Sequence, residues 1–204
     1  AAPNGEKSGS SYIVFGQASG FSTTLDLSSL DGSTGFRVDG VSAESQEGIS
    51  VNAGDVNGDG FNDLLIGAYL ASPNGEGSGS SYVVFGKDTG FDATLDLSSL
   101  DGDNGFRMDG VAAGDESGYS ISSAGDVNGD GFDDVIVGAP KADSNGDNSG
   151  VSYVIFGKAS GFDATLALSN LDGSNGFRLD GISAEDYSGK SVSNAGDFNG
   201  DGFD

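Results

Sequence analysis

The chain has no cysteine, no histidine and no tryptophan, one methionine, three prolines, and only eight basic residues against 32 acidic ones. Each shortage closes off a class of chemistry. Without cysteine there is neither a disulfide nor a thiolate nucleophile, and without histidine there is no imidazole base and no ordinary zinc site. The net charge of −24 at pH 7 is spread along the whole length and repels phosphate backbones and anionic lipid. Nucleic acid is therefore excluded as an expected partner. Apolar runs are only a few residues long, so no direct membrane insertion is expected either. The sequence has neither an initiator Met nor a signal peptide, and it reads as a window cut from a longer repeat array.

Glycine is abundant, at 37 residues, which raises the question of disorder. Hydrophobic residues at 35%, with Phe and Tyr at regular intervals, answer it in favour of a folded β protein. Tyr12, Tyr82 and Tyr153 sit in three versions of Ser-Tyr-x-x-Phe-Gly, and Phe36, Phe106 and Phe177 in three versions of Gly-Phe-Arg-x-Asp-Gly. The steps are 70 or 71 residues. Internal repetition decides the architecture before any single motif does.

One repeat reads as four short strands. Tyr119 to Ala124 alternates apolar and small polar residues; Val135-Ile136-Val137 is apolar on successive positions; Val151 to Phe156 and Gly176 to Asp180 follow. The successive apolar positions require cover on both faces. Leu166 to Gly173, like Leu25 to Gly32 and Leu95 to Gly102, fits either an extra strand or a single helical turn. Nothing else has sustained 3.6-residue periodicity, so little helix is expected. Four antiparallel strands with the middle pair covered on both sides predict an all-β fold of propeller-type blades, about three of them, as an open or partial propeller.

The run Asp-Val-Asn-Gly-Asp-Gly-Phe occurs at residues 55–61 and 126–132, and Asp-Phe-Asn-Gly-Asp-Gly-Phe at 197–203. Oxygen side chains at loop positions 1, 3, 5 and 9, with the carbonyl of position 7, suit a hard cation such as calcium, and glycine at position 6 permits the turn that brings the later ligands back. Asn-Gly and Asp-Gly also make plain turns. Three copies of the same oxygen pattern favour the metal. An EF-hand or dockerin would need an acidic residue at position 12, where this chain has Ile66 and Val137 at the end of the strand-forming runs Leu64-Leu65-Ile66 and Val135-Ile136-Val137.

Phe85-Gly86, followed later by the aspartate loop and then Gly138-Ala139-Pro140, resembles the FG-GAP repeat of the integrin α-subunit β-propeller and its bacterial relatives. That resemblance implies calcium in the loop between the first two strands of a blade. Its ligands would be Asp55, Asn57, Asp59, Phe61 by its carbonyl and Asp63; then Asp126, Asn128, Asp130, Phe132 and Asp134; and a truncated set of Asp197, Asn199, Asp201 and Phe203. The first repeat departs from the pattern, with Tyr69 in place of the proline. The expected organisation is the last two strands of a first blade over 1–47, complete repeats over 48–118 and 119–189, and a first strand with its truncated loop over 190–204.

Arg37, Arg107 and Arg178 are expected to pair locally with Asp39, Asp109 and Asp180 or to pack on the neighbouring Phe. Tyr12, Tyr82, Tyr153, Phe15, Phe85 and Phe156 read as packing between blades, whereas Tyr69, Tyr119 and Tyr187 break the repeat and read as exposed contacts. The acidic residues cluster where calcium accounts for them, and no nucleophile constellation exists, so no enzyme activity is expected. The function expected is adhesion or protein interaction by a secreted or cell-surface protein, with a protein or glycan ligand or other copies of the chain as partners. Two alternatives are a subunit of an extracellular fibre, sheath or surface layer, and an accessory propeller of a secreted enzyme.

Overall fold

The computed structural model describes residues 4–204. Its strands are β1 (Ser10–Val14), β2 (Gly35–Asp39), β3 (Val51–Gly54), β4 (Asp63–Ala68), β5 (Ser80–Val84), β6 (Thr94–Asp96), β7 (Gly105–Asp109), β8 (Ser120–Gly125), β9 (Asp134–Ala139), β10 (Val151–Ile155), β11 (Thr165–Ala167) and β12 (Gly176–Asp180). They form three sheets, ordered β1-β2-β6, β11-β7-β5-β4-β3 and β12-β10-β9-β8. The fold is all-β, a partial propeller of about three blades.

Within each blade the neighbours are antiparallel, for example Ile66 opposite Tyr82 and Val83 opposite Phe106. The period-two alternation of a strand sends successive side chains to opposite faces. Leu65 and Val83 enter the core shared with the third sheet, whereas Ile66, Tyr82 and Val84 enter the core shared with the first. That is why the middle strands carry apolar residues on both faces. All five residues of β5 are buried.

In two of the three sheets one outer strand comes from the following repeat. β6 runs parallel to β2, pairing Leu95 with Val38, and β11 runs parallel to β7, pairing Leu166 with Met108. The ambiguous segment is thus both things in succession, a short strand and then a single 3-10 turn, Leu97–Ser99 or Leu168–Asn170. Phe91 stacks on Phe36 at 4.3 Å between ring centroids, and Phe162 on Phe106 at 4.5 Å, which anchors each strap to the preceding blade. Among the described residues no earlier sheet lies beside Thr24-Leu25-Asp26, and these residues form no strand.

The strand expected at the start of 190–204 is not formed. Among the described residues no strand lies beside it, and a strand without a ladder partner has no backbone bonds to hold it. The three arginines make ion pairs along their own strands. Arg37 grips Asp39 at 2.6 and 2.8 Å and Arg107 grips Asp109 at 2.7 and 2.9 Å, while the Phe rings expected beneath them stack on the straps instead. Tyr82 and Tyr153 are buried between blades, and Tyr12 on the first sheet is 37% exposed. Tyr69 and Tyr119 are half-buried against each other, edge to face at 5.4 Å, rather than free contacts.

Candidate metal centre

All aspartate loops lie at one end of the blades. β3 runs into loop 55–63 and β8 into loop 126–134, while residues 69–79 and 110–119 connect strands at the opposite end. The turns are built by the aspartates gripping their own backbone. Asp55 accepts from the N–H groups of Asp59 at 3.1 Å and Gly60 at 3.0 Å, and Asp59 accepts from Phe61 at 2.8 Å. Asp126 accepts from Asp130 and Gly131, both at 2.9 Å, and Asp197 from Asp201 at 3.0 Å and Gly202 at 2.9 Å. Positions 4 and 6 are glycines with positive φ in all three, such as +70° and +88° at Gly58 and Gly60. A Cβ would be strained at either place.

The ninth residue is held differently. Asp63 and Asp134 are the first residues of β4 and β9 and are fully buried. Asp63 accepts N–H bonds from Val56 at 2.9 Å, Asn57 at 3.3 Å and, from the far end of β5, Gly86 at 2.9 Å. Asp134 accepts from Val127 at 3.0 Å and Gly157 at 2.9 Å. The Phe-Gly glycine must be a glycine here. A Cβ on Gly86 would stand 2.6 Å from the Asn62 carbonyl oxygen, and one on Gly157 2.5 Å from that of Asp133. Burial pushes both carboxyls up to about 6, with the amide bonds opposing it. In the open third loop the amides dominate, led by Gly202, and hold Asp197 below the usual carboxylate range.

The Phe-Gly turn therefore closes the aspartate loop, and a scan against family models matches the FG-GAP repeat at residues 48–84 and 117–155. The chain carries FG-GAP repeats. It is similar to integrin alpha-4 of Xenopus laevis, 33% identical over 82% of this chain. It is also similar to integrin alpha-PS2 of Drosophila melanogaster, 32% identical over 62%, and to integrin alpha ina-1 of Caenorhabditis elegans, 37% identical over 42%. It spans only 14%, 9% and 7% of the length of those relatives.

The donor set of each FG-GAP loop is oxygen throughout and suits a hard cation. None of the salt bridges among the described residues engages a loop aspartate, so no lysine or arginine neutralises these carboxylates. Asp55, Asn57, Asp59 and the Phe61 carbonyl share one turn, and Asp63 stands at its exit; 126–134 repeats the arrangement. Loop 197–204 has the first four positions and no ninth. Among the described residues no three acidic side chains are drawn into a ready-made cluster, because the carboxylates face their own amides.

Two contributors carry no sequence signal of their own. One is the amide of Gly86 or Gly157, 23 residues beyond the aspartate it binds. The other is loop position 8. Asp133 accepts the Asp55 N–H at 3.0 Å and donates its own to the Asp55 carbonyl at 3.1 Å, and Asp204 does the same to Asp126 at 3.0 and 3.3 Å. The recurrence of both contacts in successive repeats is the only trace they leave in sequence.

Proposed function

We propose that this chain is a calcium-stapled FG-GAP propeller segment of a secreted or cell-surface protein, serving as a rigid scaffold for adhesion or protein interaction. The carrying observation is the buried ninth aspartate. A carboxylate placed at the junction of loop, strand and Phe-Gly turn, without a cationic side chain, is what a structural cation would neutralise. Asp55, Asn57, Asp59, Asp63 and the Phe61 carbonyl would hold one Ca2+, and Asp126, Asn128, Asp130, Asp134 and the Phe132 carbonyl a second. Asp197, Asn199, Asp201 and the Phe203 carbonyl would supply part of a third. When bound, the ion supplies charge neutralisation and cross-linking of the loop rather than reaction chemistry.

The loops at the other end, 69–79 and 110–119, are then free to meet a partner while the cation end holds the blades in place. Similarity to integrin alpha chains supports a protein ligand at a cell surface, and the net charge of −24 supports a setting rich in calcium. No helix among the described residues is long and apolar enough to cross a membrane. Isothermal titration of the chelator-treated chain tests the reading. It expects calcium binding at two complete sites, with dissociation constants between about 10⁻⁵ and 10⁻³ M. Absence of heat up to several millimolar calcium would overturn it.

A further inference from the structure

We propose that the aspartate loops of successive repeats are a coupled series rather than independent sites, with the eighth loop residue positioning the first ligand of the loop before it. The inference rests on the calcium reading above and goes beyond it in assigning a role to Asp133. That residue belongs to no ligand set. It sits between the Phe132 carbonyl and Asp134, both assigned to the second site, yet its side chain and its amide are spent on the backbone of Asp55 in the first.

Two further contacts tie the same pair of loops. The Phe132 ring lies against Gly58, so close that a Cβ there would meet it at 2.4 Å. The consecutive amides of Gly157 and Lys158 bridge the loops, Gly157 donating to Asp134 of the second at 2.9 Å and Lys158 to the Val56 carbonyl of the first at 3.1 Å. A cation that orders residues 126–134 therefore fixes Phe132, Asp133 and the Gly157 turn, and these fix Asp55 and Val56. Ordering already achieved at one site need not be repeated at the other, which favours joint occupancy. By thermodynamic reciprocity the first site favours the second by the same factor.

The test is a Ca2+ titration of the full chain, followed by NMR at the Gly60 and Gly131 amides, one in each loop, with Mg2+ as control. Asp130→Ala disables the second site. It is expected to raise the Gly60 midpoint by about fivefold or more in the otherwise native chain, and by a clearly smaller factor when Asp133→Ala is already present, since the Phe132 and Gly157–Lys158 contacts remain. Asp133→Asn keeps an acceptor and should retain the share of the coupling that Asp133→Ala loses. A Gly60 midpoint that ignores Asp130→Ala would overturn the coupling and leave the calcium reading standing. If neither amide responds to calcium in the native chain, both fall. Should Asp133→Ala lose its dispersed spectrum, the native against Asp130→Ala comparison decides alone.

Discussion

The first and third loops show what a turn can do alone and what it needs from its neighbours. Both have Asp, Asn, Asp and Phe at positions 1, 3, 5 and 7, and both make the same internal bonds from the first aspartate to the amides of positions 5 and 6. Yet Val56 at position 2 of the first loop is 0% exposed, and Phe198 at the same place in the third is 95% exposed. The difference is the next blade. Val56 packs among Val135, Ile155 and Phe85 and has its carbonyl bonded by Lys158, whereas Phe198 has no such neighbours among the described residues. Loop shape is therefore local, and its burial, like the Gly86 amide that holds its ninth residue, comes from elsewhere in the fold.

The strongest way to break that comparison is to remove what only the covered loops possess. Asp63→Ala leaves the N–H groups of Val56, Asn57 and Gly86 without their acceptor and should cost about 3 kcal/mol or more, read as a lowered urea midpoint. The next test opposes equivalent side chains. Val56→Ala should cost about 2 kcal/mol through lost burial, while Phe198→Ala should change stability by no more than about 0.5 kcal/mol. Equal effects would mean that the next blade does not complete the first loop.

Glycine substitutions sharpen the contrast further. Gly58 and Gly200 have matching φ values of +70° and +76°, but a Cβ would strike the Phe132 ring at the first and meet nothing within 4 Å at the second. Both changes to Ala carry the left-handed backbone cost of about 1 kcal/mol, and Gly58→Ala should lose a further ~1–2 kcal/mol or displace the ring. A separate contrast is in pH. In the metal-free chain Asp63 and Asp134 titrate near 6 against an ordinary value of 3.8, so the folded state holds those protons more tightly than the unfolded one. Their contribution favours folding below about 4 and is lost as pH rises through about 6. Asp197, lowered by the Gly202 amide, works in the opposite sense, and carboxyl NMR titration separates the two.

Much of this organisation was legible in the chain. The 70 to 71 residue step marks the repeats, alternation marks the strands, and the apolar middle strands announce that blades stack on both faces. The spacing of oxygen residues marks the turns, which form in all three copies. The Arg-x-Asp pairs read correctly because residues two apart on a strand share a face. What escaped depends on contacts between distant segments. The strap of β6 or β11 exists only where an earlier sheet offers an edge, so its sequence is ambiguous by itself and the same residues stay unpaired in the first repeat. Residues near 190, expected as a strand, have no ladder partner among the described residues and form no strand. Asp133 reads as one more acidic residue in an acidic loop until its partner Asp55, 78 residues away, is seen.

The central claim is that a cation holds these loops and thereby the blades. Thermal unfolding of the intact chain, followed by circular dichroism with excess chelator, with calcium and with magnesium, tests it most directly. Binding at a hundred times the dissociation constant stabilises the folded state by about 2.7 kcal/mol per site, so chelation should lower the melting temperature substantially, with recovery in calcium and not in magnesium. Identical melting curves in all three conditions would contradict the claim and leave the aspartate loops as hydrogen-bonded turns.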